Sequence, residues 1–339
     1  MTDVSTAQRL AAARKLAAAK STLFETPKYG DLRVEFERLF FQKIADHEAG
    51  NGAECEAIVL VGDPGAGKSF MTKKLLDKSG FLYEGLQRNE RRYVHVRIPA
   101  STTLMDTGAY LLKALDAPVP KKEKIGTIWA VVFQQLRIQR VNFVVLDEVH
   151  ELIFNQRGRE LNSSLNTLKA LVNEIDWPVN LLLVGTLELA DLINTETQVV
   201  RRVRTVKIEP VSHADQGPEV SSAIEHYASL VGMTVCPKVL TARFLPRLFH
   251  AADYQPGWML KMIIESLRFG LEEGRSELRR EDFSRHFRHY SGCSDGMNPF
   301  LSADYEAVSV RQILPDRDQY ERREEMRNLI RKHRAELAR

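Results

Sequence analysis

Eight consecutive residues, Gly62, Asp63, Pro64, Gly65, Ala66, Gly67, Lys68 and Ser69, set three glycines, a lysine and a hydroxyl at the spacing G-x-x-x-x-G-K-[ST]. Glycines at 62, 65 and 67 open backbone conformations closed to other residues, so successive N–H groups can converge on an anion. A helix opening at Lys68 adds the partial positive charge of its N-terminus. Lys68 would bring a full charge to the β and γ phosphates of a nucleoside triphosphate, and Ser69 a hydroxyl to Mg²⁺. Phe70 follows directly and completes the expected binding segment. The apolar run before the motif and the helical pattern after it distinguish a phosphate-binding loop from a glycine-rich turn with a chance lysine.

A second chemical segment is FVVLDE, residues 143–148. Four apolar residues deliver two carboxylates to one end of a buried strand, where ligands bind in open α/β sheets. Asp147 would hold Mg²⁺ directly or through water, and Glu148 would accept a proton from the attacking water. Thr186 closes the strand LLLVGT; its hydroxyl either meets the γ-phosphate and the water or caps the helix opening at Leu187. Arg201, Arg202 and Arg204 cluster before a last strand. One of them, Arg202 first and then Arg201, would stabilise charge developing in a neighbouring copy's site, since a guanidinium is always charged and forked. A solvated basic face is the alternative. Lys261 either reaches the phosphates from a later helix or lies on the surface. No Asn-Lys-x-Asp segment is present to read guanine, which argues against a GTPase; the expected nucleotide is ATP and the expected reaction its hydrolysis to ADP and phosphate. Acceptor-binding elements of a mononucleotide kinase are not recognisable either.

The elements that must position these residues follow from periodicity. Ala57–Val61, 93–98, 141–146, 180–184 and the end of 199–211 read as strands. Helical spacing covers the Ala-rich N-terminus, 31–48, 68–78, 104–116, 125–139, 160–176 and 187–193, with Ile175 on the apolar face of 160–176. ETPKYG, 25–30, reads as a turn. Strands alternating with helices imply a parallel sheet covered on both faces. From Gly217 the pattern becomes helical only, with helices at 218–231, 237–250, 257–273 and 280–289. The expected layout is an N-terminal helical extension (1–49), an α/β nucleotide-binding domain (50–216), a helical lid (217–290) and a charged tail (291–339). In that tail Tyr320, Met326, Leu329 and Ile330 form either a partner-docking stripe or part of a solvated or disordered segment.

The 339 residues are 44% hydrophobic and 27% charged, enough to bury a core. A net charge of +3 permits nucleic-acid binding without arguing for it. Cys55, Cys236 and Cys293 are odd in number and dispersed, so neither a disulfide framework nor a zinc site is supported, and a cytoplasmic location fits. No apolar run approaches the roughly 20 residues that span a bilayer.

Phosphate loop, Asp-Glu pair, polar strand end, basic cluster and helical region, in that order, resemble an AAA+ ATPase. The segment LNSSLNTLKALVNEIDWPVNLLLVGTLELADLINTETQVVRRV is similar to the TniB and TnsC group of transposition-regulator ATPases. Leu165-Asn166, Leu168-Lys169 and Asn173 match the group's helix, Gly185-Thr186 its sensor strand and Arg202 its arginine. Val203 stands where an aromatic residue is usual. SGCSDGMNPF, 291–300, resembles the C-terminal region of TnsC proteins from CRISPR-associated transposons. The resemblance implies a homo-oligomeric ring or filament on double-stranded DNA that receives a signal from a target-selection protein and recruits or activates the transposase. It also leaves open a replication-type helicase loader or an ATP-bound scaffold with little turnover. Backbone contacts to DNA, sequence-tolerant and salt-sensitive, would come from Ser101, Thr102 and Thr103, from Lys121, Lys122 and Lys124, and from Arg157 and Arg159, each otherwise an ordinary solvated loop residue.

Overall fold

A computed structural model of the chain describes residues 6–50, 55–80, 91–121, 124–154, 159–194, 202–313, 325–328, 330–332 and 335. They group into two compact units. The first, α/β in character, comprises residues 26–62, 68–208 and 322–339, and the second, mainly helical, comprises 1–25, 63–67 and 209–321. These units cut across the four segments expected from the sequence: the first helix and the apex of the phosphate loop group with the helical unit, and the end of the chain with the α/β unit.

In the α/β unit, β1 (Ala57–Gly62), β2 (Tyr93–Arg97), β3 (Phe143–Asp147), β4 (Asn180–Gly185) and β5 (Val203–Ile208) form one sheet in the order β2-β3-β4-β1-β5. Every pairing is parallel. β1, β3 and β4 are buried throughout, which is why they read as unbroken apolar runs. The helices are α2 (Pro27–Glu48), α3 (Lys68–Lys78), α4 (Leu104–Ala114), α5 (Ile125–Ile138), α6 (Val149–Phe154), α7 (Arg159–Asn173) and α8 (Leu187–Ile193). The expected turn at 25–30 is instead the start of α2. Thr26 caps it, its hydroxyl accepting from the Tyr29 N–H, and Pro27 takes the first turn, where no N–H is needed. α7 stops at Asn173, so Ile175 lies past its end and is 94% exposed rather than on a buried face.

The tail departs most from its two expected readings. Met326 and Ile330 are buried within the core of the α/β unit, and Arg327 Nε donates to Glu188 Oε1 at 3.1 Å. Glu188 itself, in the first turn of α8, is 1% exposed. Tyr320 and Leu329 lie outside the described residues.

In the helical unit, α1 (Thr6–Ser21) buries Leu16 and Ala19 in the same core as α9 (His213–Leu230), α10 (Leu245–Ala251), α11 (Pro256–Glu272) and α12 (Arg280–Ser291), while α13 (Val310–Ile313) adds Val310. Lys20 pairs with Glu265 of α11 at 2.5 Å. The region is not purely helical: β6 (Thr234–Val235) and β7 (Glu277–Leu278) pair in parallel. Nor is 237–250 one helix. A short 3-10 turn at Pro237–Val239 precedes α10, whose first turn contains Pro246; proline has no N–H to continue an earlier helix and would clash one turn back. Phe300, from the segment compared above with TnsC proteins, is buried against Phe244, Phe283 and Phe287. No helix among the described residues is long and apolar enough to cross a membrane.

Candidate functional site

The carboxyl edge of the α/β sheet gathers the residues with chemistry. β1 ends at Gly62, β3 at Asp147 and β4 at Gly185, and in the sheet order β4 lies between β3 and β1. The phosphate loop leaves β1 with left-handed backbone at Gly65 (φ 80°) and Gly67 (φ 91°), conformations that glycine takes without strain. α3 then starts at Lys68, as expected from the spacing. The Lys68 side chain is nearly buried, and its Nζ donates to the Gly62 carbonyl at 2.9 Å. Ser69 is half-buried behind it, and the Phe70 ring lies at the surface under the Lys74 ammonium.

Asp147 is buried, with Oδ1 accepting the Glu148 N–H at 2.9 Å. Among the described residues no hydrogen bond engages its other carboxylate oxygen. Glu148 has φ 60°, a left-handed conformation that costs a non-glycine residue energy and that marks functional turns. Burial raises its pKa, and the Asp147 charge raises it further against the opposing pull of Lys68 and Arg97. Arg97, the last residue of β2, is in register with Asp147 and sets its Nη2 3.5 Å from Glu148 Oε1. On the other side His150 Nδ1 lies 3.4 Å from Glu148 Oε2 without a hydrogen bond. Burial lowers the pKa of His150, which favours the neutral ring. A carboxylate between an arginine and a neutral imidazole was not visible in the sequence: nothing in the local pattern marks His150 as buried, and Arg97 depends on which strand pairs with which.

Thr186 occupies the N-cap position of α8 but makes no side-chain capping bond, and it is 6% exposed. Its hydroxyl is thus not committed to the helix. Gly185 beside it permits a close approach: a Cβ there would come within 2.8 Å of Leu189 and 3.6 Å of His150 Nδ1.

Arg202 lies at the other edge. Its carbonyl accepts the Ala57 N–H at the start of β1, and its Nη1 donates to Asn173 Oδ1 at 2.9 Å. A six-residue strand separates that edge from Gly62, roughly 20 Å. Arg204 is exposed, 3.8 Å from Glu56, and Arg201 lies outside the described residues. In the helical unit, Lys261 rests 4.8 Å from the ring centres of both Trp258 and Tyr290.

The expected DNA contacts divide. Ser101, Lys121 and Lys124 are exposed, Ser101 with left-handed backbone. Thr102 is buried, its hydroxyl donating to Pro99 O at 2.6 Å, which removes it from any surface. Thr103 forms the capping box of α4, with the Asp106 carboxylate 2.6 Å from its hydroxyl, so an anion there would meet a negative charge. Lys122, Arg157 and the Arg159 side chain lie outside the described residues.

A family model described as bacterial TniB protein matches residues 35–213, more than half of the chain. The chain belongs to the TniB family. None of the curated protein sequences matches it. Among solved structures this TniB-family chain is similar to the ORC2 protein of Aeropyrum pernix in ADPNP–ADP complexes, with 15% identity, 82% of this chain and 71% of that chain covered and a TM-score of 0.53. It is also similar to the Aeropyrum pernix ORC1 protein in complex with DNA, at 16% identity, 76% and 64% coverage and a TM-score of 0.50. Cdc6p from Pyrobaculum aerophilum gives 18% identity, 75% and 66% coverage and a TM-score of 0.50. At these identities the likeness is one of fold: the phosphate-loop AAA+ core, a parallel sheet flanked by helices, with a helical region after it.

Proposed function

We propose that this TniB-family chain is an ATPase that assembles on double-stranded DNA and regulates transposition, recruiting or activating the transposase in response to a target-selection protein and dissociating upon hydrolysis. The observation that carries the reading is the convergence of Lys68, Asp147, Glu148 and Thr186 on one edge of the α/β unit, within the TniB family match. Nucleotide and DNA in the fold relatives' structures agree with it.

The triphosphate would lie along residues 62–69, its charge met by the loop N–H groups and by Lys68, which would exchange the Gly62 carbonyl for phosphate oxygens. Ser69, through its hydroxyl, and Asp147, through its carboxylate, would hold a Mg²⁺ directly or through water. When bound, that ion neutralises charge on the phosphates. Glu148 acts as general base: water attacks the γ-phosphorus, its proton passes to the Glu148 carboxylate, the bond to the β-phosphate oxygen breaks, and ADP and phosphate leave. Thr186 orients the water or the γ-phosphate. The position of Arg202 at the opposite sheet edge suits a residue offered to a neighbouring copy, with Arg201 its alternative. Ser101, Lys121 and Lys124, all exposed, are DNA-backbone candidates, as Lys122, Arg157 and Arg159 are by sequence.

Electron microscopy of the chain with ATP, a slowly hydrolysed analogue or ADP, each with and without duplex DNA, tests the assignment. Rings or filaments on DNA that require the triphosphate are expected; a monomer under every condition overturns the reading. Affinity capture then separates partners: retention of a transposase is expected, and retention of a replicative helicase instead would make the chain a loader.

A further inference from the structure

Within the helical unit, the apex of the phosphate loop is held by a short stretch that contains no phosphate-binding motif. Trp258 donates its backbone N–H to the Gly65 carbonyl at 2.9 Å, and its ring occupies the space that a side chain at Gly65 would need. Gly257 lies so close that a Cβ would stand 2.5 Å from Gly65 O and 2.6 Å from the Gly67 nitrogen. Gln255, fully buried, points its amide Nε2 at Asp63 Oδ2, 3.4 Å away. Three residues of one short segment, Gln255, Gly257 and Trp258, thus meet Asp63, Gly65 and Gly67 of the loop, the latter two through main chain.

The segment is itself rigidly mounted. Asp253 and Tyr254 are consecutive non-glycine residues with left-handed backbone (φ 48° and 58°), a strained turn that persists only when its surroundings over-determine it. The surroundings do so here. Arg311 Nε donates to both Asp253 carboxylate oxygens at 3.0 and 2.8 Å, the Tyr254 N–H donates to Phe249 O, and Tyr254 O accepts the Val211 N–H. Pro256 then fixes the first turn of α11, and the Trp258 ring is wedged edge-on against Tyr290.

We propose that the turn Asp253–Trp258 is a template that sets the conformation of the phosphate loop, with Gly257 and Trp258 as positioning residues for the triphosphate. The inference rests on the nucleotide reading of residues 62–69. Loop N–H groups converge on phosphate only in one backbone arrangement, and the template supplies that arrangement before the ligand arrives. Because Trp258 bonds the loop through its main chain and covers it with its ring, its emission reports occupancy.

The test titrates a fluorescent ATP analogue into the full chain and into Lys68→Ala, Gly257→Ala and Gly126→Ala. Gly126 is the matched control, the second residue of α5, where a Cβ meets nothing within 4 Å. Gly257→Ala should weaken binding by about tenfold or more, since the methyl must displace loop backbone, while Gly126→Ala binds as wild type. Separately, ATP should change tryptophan emission in the wild-type chain and not in Trp258→Phe. Binding by Gly257→Ala within about twofold of wild type, in a series where Lys68→Ala has lost it, overturns the template alone. A wild-type chain that binds no ATP overturns the nucleotide reading and the template with it. Should Gly257→Ala fail to fold by circular dichroism, the emission measurement decides: a change that survives in Trp258→Phe overturns the proposal.

Discussion

The two edges of the α/β sheet both bury charge, and they handle it in opposite ways. At the amino edge the Lys43 ammonium is 4% exposed, yet its Nζ donates to two carbonyls, Val141 O at 3.2 Å and Pro178 O at 2.5 Å, and lies over the Trp177 ring. Trp177 Nε1 adds a bond to Val141 O, and Asn180 joins the Glu56 N–H to Leu39 O. Most polar groups there are spent on main chain before strands β3 and β4 begin, the buried Asn142 Nδ2, with no hydrogen-bond partner among the described residues, being an exception. The carboxyl edge keeps a carboxylate in left-handed backbone, a histidine nitrogen buried without a hydrogen bond and a lysine folded onto its own loop. A carboxylate in strained backbone and an unbonded histidine nitrogen are costly, and both lie beside the residues proposed to meet the triphosphate. Around Lys43 the amino edge is finished architecture; on the nucleotide reading proposed above, the carboxyl edge is an incomplete site.

Three substitutions would break or sharpen this contrast. Lys68→Ala, at the incomplete edge, should cost the most: ATP affinity falls by about a hundredfold or more, as for loss of one partner from a buried charge pair. Titration with the fluorescent analogue measures it, and unchanged affinity would remove the lysine from the site. Glu148→Gln should leave binding intact and slow hydrolysis by about 10²–10⁴-fold, the scale of general-base catalysis. In the wild-type chain the base must be ionised. Since burial and Asp147 raise the Glu148 pKa, hydrolysis should fall as pH drops through a value above the ordinary carboxylate range, and Glu148→Gln should lack that limb.

The smallest effect belongs to the finished edge. Burial lowers the Lys43 pKa from 10.5 to about 8. Below pH 8 the lysine is protonated folded and unfolded, and the cost of burying its charge is fully present. Between pH 8 and 10.5 the unfolded chain holds the proton more tightly, so stability rises with pH. Denaturant unfolding should show wild type gaining on the order of 3 kcal/mol over Lys43→Met across that window, with ATP affinity the same in both. Parallel pH profiles would mean that the buried ammonium carries no such cost.

Local spacing made the incomplete edge legible. The loop spacing, the apolar run into Asp147 and the helices at 68–78 and 187–193 are contained in short windows, and the structure has them at those positions. What the sequence hid is non-local. Arg97 meets Glu148 only because β2 pairs with β3, and no pattern within either strand encodes that partner. His150 follows the Asp-Glu pair closely but gains its character from burial. Gln255, Gly257 and Trp258 are nearly two hundred residues from the loop they touch. Elsewhere periodicity misled: Ile175 continued the apolar spacing of 160–176 beyond the helix end, and Pro246 split a helical pattern that hydrophobicity alone would carry through. Apolar spacing records which face of an element is covered, not what covers it.

Met326, Arg327 and Ile330, close to the end of the chain, have a practical corollary. Residues so near a terminus are commonly trimmed or overwritten when a protein is shortened or tagged. Here such an edit would unseat two side chains from the centre of the α/β unit and strip the counter-charge from a carboxylate buried in α8. A shortened chain that lost the proposed ATP hydrolysis would therefore report damage to the α/β interior before it reported the loss of a partner's handle.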